Sequence, residues 1–360
     1  MRYKKLGRTG LLVSEVCLGT MTFGGDGMWR AMGALDLSGA SGLVKGAFDG
    51  GVNFFDTADV YANGISEQLL GQSIRDLGLR RDEIVIATKG MGRLTLNPPP
   101  DADATTLAEA ARRNKVRNVN GTSRKHLFDA VDASLRRLGT DYIDLYQVHG
   151  VDPLTPIDET LDALNDIVRS GRVRYIGLCN WAAWQVSKAL GISERKGSAR
   201  FVSAQMYYSI GGRDLEREVV PMAIEEGLAI LPWSPLAGGF LSGKYTREGT
   251  GPEASRRLAF DFPPIDKARG FDIIDVLRTI GDAHGVSVAR VALAWLLHKP
   301  HVTSVIVGAK TVAQLTDNLA ATEVRLSEAD LRALDEVSAL SKEYPGWMFD
   351  MQGADRRGQV

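Results

Sequence analysis

Four side chains able to carry or stabilise a proton fall at the ends of three consecutive apolar runs. In VNFFDTADVY the carboxylate of Asp56 closes the run, and the phenol of Tyr61 follows five residues later. In EIVIATKG an amine, Lys89, ends a stretch of apolar or small residues, and in YIDLYQVHG the imidazole of His149 ends the next. Singly, each has an ordinary explanation. An Asp after a strand commonly caps a turn, a loop Tyr is commonly half-buried, and a His at a strand end is commonly a satisfied polar group. Lys89 resists that treatment, because an amine closing a buried strand needs a partner. Asp56 can be that partner, holding the amine and offsetting the cost of burying its charge. A free phenol has a pKa of about 10, too high for efficient proton transfer near neutrality. An adjacent ammonium favours the phenolate, so Lys89 is expected to lower the Tyr61 value. His149 would donate a hydrogen bond to a substrate carbonyl or to the phenol oxygen. The set suits a proton donor to an oxygen that becomes an alkoxide as hydride arrives, which is carbonyl reduction.

The elements that must bring these residues together are legible along most of the chain. Short β-rich runs at 15–19, 52–56, 84–89, 142–149, 173–178, 201–206, 228–232 and 304–308 alternate with helical patterns. Most are continuous apolar runs, as strands covered on both faces should be. The stretch SRKHLFDAVDASLRRLG starts at Ser123, spaces Leu127, Val131, Leu135 and Leu138 helically, and stops at Gly139. TPIDETLDALNDIVRSG begins at Pro156 or Asp158 and closes at Gly171, and 214–227 and 311–321 repeat the theme. Eight strands alternating with helices predict an α/β fold with a parallel sheet. An eight-fold barrel and an open doubly wound sheet both fit. The first strand runs into GTMTFGGDGMWR, which lacks the G-x-G-x-x-G of a dinucleotide-binding open sheet, so a (β/α)8 TIM barrel is favoured.

The segments 90–121 and 236–269 are long for connections that follow strands. Both would lie at the C-terminal face of a barrel, where chemistry resides. Residues 1–343 read as one barrel with these insertions, and 344–360 as a short, flexible C-terminal extension whose Trp347, Met348 and Phe349 either touch a ligand or pack. Trp29 and Met28, in the first such loop, would add an apolar wall. Charge excludes more than it suggests. Lys and Arg total 43 against 44 Asp and Glu, which gives no electrostatic case for nucleic acid or an anionic membrane as partner. Only Cys17 and Cys179 occur, both in apolar runs, so neither a disulfide framework nor a metal-ligand cluster is expected. The N-terminal residues lack a secretory core and no apolar run reaches bilayer length, so the chain reads as cytoplasmic.

With FDTADVY, IATKG, SLRRLGTDYIDLYQVH, GLCNW and LPWSPLAGGFLSGKY in this order, the sequence resembles the aldo-keto reductase superfamily over most of its length. The resemblance implies an NAD(P)H-dependent alcohol dehydrogenase or carbonyl reductase with Asp56, Tyr61, Lys89 and His149 as catalytic residues, Tyr61 being the acid/base. It implies that Gly19, Thr20 and Met21 line the nicotinamide end beside Asp56, and that Asn180 and Gln205 hydrogen-bond the carboxamide. Cys179 stands where the family often has Ser, weakening one bond there. Trp233 would offer the nicotinamide a flat face. Ser234, Pro235, Leu236 and Gly238 would follow the pyrophosphate, with Lys244 and Arg256 closing over it. Gly308, Lys310, Gln314 and Asn318 would hold the adenosine end. Lys310, at a helix start, would read the 2′-phosphate, so NADPH is expected in preference to NADH. Asp317 lies near the same end, and a carboxylate there disfavours a phosphate. The partner would be a small carbonyl or alcohol substrate. The sequence also resembles potassium-channel β subunits, which share the barrel and bind NADPH as regulatory partners. His149 keeps the reductase residue type against that reading. A third reading, a barrel lyase or isomerase, leaves the run from Trp233 to Lys244 without a role.

Overall fold

The computed structural model describes residues 1–25, 27–98, 101–247, 249, 251 and 256–357, with residues 27, 28, 256, 259, 350 and 355–357 described by backbone alone. Eight parallel strands form a nearly closed barrel. In chain order, after a two-stranded hairpin of β1 (Tyr3–Lys5) and β2 (Leu12–Ser14), they are β3 (Val16–Gly19), β4 (Phe54–Asp56), β5 (Val85–Gly90), β6 (Ile143–Val148), β7 (Val173–Cys179), β8 (Phe201–Tyr207), β9 (Ala229–Trp233) and β10 (Val305–Val307). The hydrogen-bonded order is β10-β3-β4-β5-β6-β7-β8-β9. A parallel bridge between Ile230 and Val302 draws the two free edges together. All eight runs read from the sequence are strands, and β3 to β6 are buried at every position. Side chains therefore alternate between the barrel interior and the surrounding helices.

The helices follow their caps and apolar stripes. They are α1 (Leu37–Asp49), α2 (Ile65–Asp76), α3 (Ala104–Asn114), α4 (Arg124–Leu138), α5 (Ile157–Arg169), α6 (Ala183–Lys196) and α7 (Val219–Glu226). After them come α8 (Arg256–Ala259), α9 (Lys267–His284), α10 (Val288–Leu297), α11 (Val312–Leu319), α12 (Glu328–Val337) and α13 (Gly346–Arg357). Ser123 caps α4 through the His126 N–H, and Gly139 ends it in the left-handed region. On α5, Leu161, Leu164 and Ile167 are wholly buried. Each contributes about 1.5–3 kcal/mol of burial. Among the described residues no single helix is long and apolar enough to span a bilayer.

Two expectations are corrected. The helix expected over 214–227 is a short 3-10 turn, Asp214–Glu216, followed by α7. Pro221 is tolerated in the first turn of α7 but would break a helix running through from 214. The segment 90–121 is not plain loop, since α3 starts at the Asp103 cap. The tail, read as a flexible cap, carries α13, with Trp347 and Phe349 exposed, which leaves that reading untested. The hairpin β1–β2 carried too little periodicity to be read from the sequence. It buries Leu6 and Val13 with Cys17, Phe54, Leu145 and Leu231 of the barrel interior, closing the end opposite the C-terminal rim.

Candidate active site

Parity along the strands sends Asp56 of β4 and Lys89 of β5 into the barrel interior near its C-terminal rim. Both are essentially sealed from solvent. Lys89 Nζ donates to Asp56 Oδ1 at 2.5 Å, to the Thr57 carbonyl at 2.7 Å and to Tyr61 Oη at 3.3 Å. An ammonium has three protons to give, and all three find acceptors. Burial pulls the Lys89 value down, but Asp56, with Tyr61 and Cys179 behind it, holds the amine above its ordinary value. The carboxylate is equally complete: Asp56 Oδ2 accepts from Gln147 Nε2 at 3.1 Å and Gln205 Nε2 at 2.9 Å. A buried ion pair is stabilising only when its remaining hydrogen-bonding capacity is met, as here.

Tyr61 is delivered by the loop after β4. Thr57 N–H bonds the Ala87 carbonyl and Asp59 N–H the Lys89 carbonyl, stitching the loop to β5. Immediately beyond Tyr61 the chain turns through two left-handed non-glycine residues, Ala62 (φ 46°) and Asn63 (φ 54°). Such strain persists only where surroundings impose it. The Tyr61 ring lies between Trp29, at 5.5 Å and 61°, and His149, at 5.8 Å and 74°. The Met28 side chain lies outside the described residues. Burial pushes the Tyr61 phenol above its ordinary value despite the opposing charge of Lys89, which reverses the direction expected from spacing alone. The group is therefore a neutral phenol, able to give a proton. His149 is pushed down to about 3, by burial first and by Lys89 second, so its ring is a neutral imidazole at physiological pH. It has one N–H to donate.

The residues assigned to a dinucleotide fall along one arc of the same rim. Gly19, Thr20 and Met21 follow β3, where Thr20 Oγ1 is engaged with Ser66 Oγ at 2.8 Å. Cys179 ends β7 and makes only a long contact, 4.0 Å, to Gln147 Oε1. Asn180, left-handed at φ 58°, accepts the Trp233 indole N–H at 2.9 Å. Gln205 donates its amide nitrogen to Asp56 Oδ2. Trp233 stacks on Phe262 at 5.7 Å and 12°. Ser234 (φ 51°) has its Oγ bonded by the Gly238 N–H, and Pro235 and Leu236 complete that turn. Gly238 and Gly239 take positive φ, a conformation that leaves backbone free to approach a ligand closely. The Arg256 side chain lies outside the described residues. Gln314 accepts the Lys310 backbone N–H, and Asn318 donates to the Gly308 carbonyl at 3.4 Å. The Asp317 carboxylate is taken by Arg290 and Ser287. Lys244 is held below its ordinary value by burial first and by the charge of Lys310 second. A flat aromatic face followed by a turn rich in positive φ, with Lys244 Nζ close against Gly239, fits the ring and phosphates of a dinucleotide.

Sequence reading missed four groups. Gln147 shares interior parity with Leu145 on β6, a signal the alternation carried. Arg257 is buried and pins the long loop by donating to the Ala237 carbonyl at 2.7 Å and the Pro263 carbonyl at 3.0 Å. Asp59 is buried within the Tyr61 loop. Glu67, in the first turn of α2, is fully buried against Arg137 and Thr88.

The model of the aldo/keto reductase family matches residues 15–339. The versiconal hemiacetal acetate reductase of Aspergillus parasiticus is 35% identical, covering 96% of this chain and 99% of that one. A putative aryl-alcohol dehydrogenase of Schizosaccharomyces pombe is 36% identical, over 93% and 95%. A probable voltage-gated potassium channel β subunit of Arabidopsis thaliana is 37% identical, over 90% and 92%.

Proposed function

The chain belongs to the aldo/keto reductase family, and from that premise we propose that it is an NADPH-dependent oxidoreductase interconverting an aldehyde or ketone with its alcohol. The observation that carries this reading is the single ammonium of Lys89 shared between Asp56 Oδ1 and Tyr61 Oη at the barrel rim. When bound, the reduced nicotinamide supplies hydride to the carbonyl carbon. Tyr61 gives its Oη proton to the carbonyl oxygen as that oxygen gains charge, and Lys89 stabilises the phenolate left behind. Neutral His149 donates its N–H to the same oxygen and orients it. In the oxidative direction the same groups act in reverse. Asp56 touches no substrate and keeps the ammonium in place.

Trp233, Ser234, Pro235, Leu236 and Gly238 would hold the nicotinamide and pyrophosphate. Lys244 would take pyrophosphate charge and Lys310, just before α11, would take the 2′-phosphate, a group that only NADPH offers. Two of the relatives are named for reactions on a hemiacetal acetate and on aryl alcohols, which supports a small oxygenated substrate. A second reading, a regulatory subunit with little turnover, draws on the channel β-subunit relative. Oxidation of NADPH and of NADH, followed by absorbance against a panel of aldehydes, ketones and keto-sugars, separates the two. Turnover supports the reductase. Silence across the panel, with capture of a channel protein, supports the other.

A further inference from the structure

We propose that Gln147 is a positioning residue: its side-chain amide turns the Asp56 carboxylate so that one oxygen alone grips Lys89, leaving the ammonium within reach of Tyr61. The inference rests on the reductase reading above and extends it to a side chain that touches neither the phenol nor the imidazole.

Three observations carry it. Lys89 Nζ bonds only Oδ1 of Asp56, while Oδ2 faces the amide nitrogens of Gln147 and Gln205. A carboxylate freed of those donors would swing its second oxygen toward the nearest cation. Of the three Lys89 contacts the one to Tyr61 is the longest, at 3.3 Å, and would be the first lost. Next, the Gln147 amide has a defined orientation. Its Oε1 accepts from Gln205 Nε2 at 3.4 Å and faces Cys179 Sγ at 4.0 Å, so a flip would set two oxygens against each other. Last, the barrel leaves space for this side chain. Its register partner on β7 is Gly177, where a Cβ would stand 3.1 Å from Gln147 Cγ and 2.4 Å from Ser203 Oγ. The β7–β8 register shifts at the same point, between Ile176 and Gly177.

The test uses the purified full chain with NADPH and a carbonyl that it reduces. Gln147→Leu keeps approximate volume and removes the donor. We expect kcat to fall by roughly ten- to a hundredfold, the range for losing a partner that orients a reacting group. KM and the NADPH Kd should stay within about threefold. Gln147→Glu gives the distinctive signature. Its protonated form can donate to Asp56 Oδ2 and its ionised form repels it, so its kcat should approach wild type at low pH and fall as pH rises. A Gln147→Leu enzyme with unchanged kcat overturns the proposal. So does a Gln147→Glu enzyme with the wild-type pH profile, which also decides the matter if the Leu variant fails to fold. A readout without turnover keeps this separate from the functional reading. In protein carrying isotope-labelled tyrosine, the Tyr61 ring signal, assigned by its loss in Tyr61→Phe, should move in Gln147→Glu as pH rises. A stationary signal overturns the proposal. A wild-type protein that reduces no carbonyl overturns the reductase reading, and the ring signal still decides whether Gln147 sets the Lys89–Tyr61 contact.

Discussion

Tyr61 Oη stands 3.3 Å from Lys89 Nζ, and the phenol is nonetheless harder to ionise than a free one. Burial disfavours phenolate more than the ammonium favours it. This does not weaken the site. An alkoxide is far more basic than a phenolate, so a donor need not be acidic at rest. It needs its conjugate base stabilised at the moment of transfer. A unit charge pair at that separation gains on the order of 5 kcal/mol at an effective dielectric of about 20. The neutral phenol gains far less from the same cation. That difference, realised only as the proton leaves, is what lowers a barrier.

Tyr61→Phe removes the proton and keeps the ring between Trp29 and His149. We expect kcat for carbonyl reduction to fall by a hundredfold or more, the order for losing a positioned acid. NADPH Kd, read by quenching of tryptophan fluorescence, should stay near wild type. Equal losses in kcat and in affinity would make Tyr61 a structural residue.

The depressed His149 value has a consequence for pH. An unperturbed histidine titrates near about 6.5, but His149 is pushed down to about 3. Its N–H donor is unchanged across the neutral range, so kcat/KM should carry no acid limb near neutrality. A limb close to about pH 6.5 that disappears in His149→Gln would contradict the neutral ring.

Lys310→Ala should weaken NADPH binding and leave NADH binding nearly untouched, because only NADPH offers a phosphate to that cation. The Asp317 carboxylate, feared as a repulsive neighbour, is tied to Arg290 at 2.7 Å. The change should be ~1.5–3 kcal/mol, as for a charge-assisted hydrogen bond. Titration of the variant with each cofactor checks it. A parallel loss for both would remove Lys310 from the 2′-phosphate.

How much of this was visible in the sequence follows from which forces act locally. The eight barrel strands were legible because burial on both faces writes continuous apolar runs. β1 and β2, three residues each and partly exposed, write no such signal. Asp56, Tyr61, Lys89 and His149 could be singled out because strand ends are fixed by those runs. Gln147 was overlooked inside one, although its parity placed it indoors. Arg256 and Arg257 cannot be told apart by type, since the fold of the long loop decides that Arg257 turns inward. The direction of the Tyr61 shift was misread for a similar reason. Spacing names the neighbouring charge, but only the folded barrel sets the depth of burial.

Asp59 gives the sharpest test of the electrostatics beneath the Tyr61 loop. It is 3% exposed, and its Oδ1 finds no hydrogen-bond partner among the described residues. Burial first, and then the charge of Glu67, push its carboxyl up to about 8, while Arg137 and the Val60 and Met91 N–H groups only partly oppose them. An unfolded Asp titrates near about 4. Between these values the folded chain holds a proton that the unfolded chain has released. Stability from this group is therefore fully present below about pH 4 and is lost progressively up to about pH 8, by at most ~1.4 kcal/mol per pH unit. Asp59→Asn keeps the shape and abolishes the titration. Urea midpoints measured across that window should fall with rising pH more steeply in wild type than in the variant, with the variant ahead at the alkaline end. Parallel curves would mean that Asp59 is ionised in the native protein, and that the loop carrying Tyr61 tolerates a second buried negative charge beside Glu67.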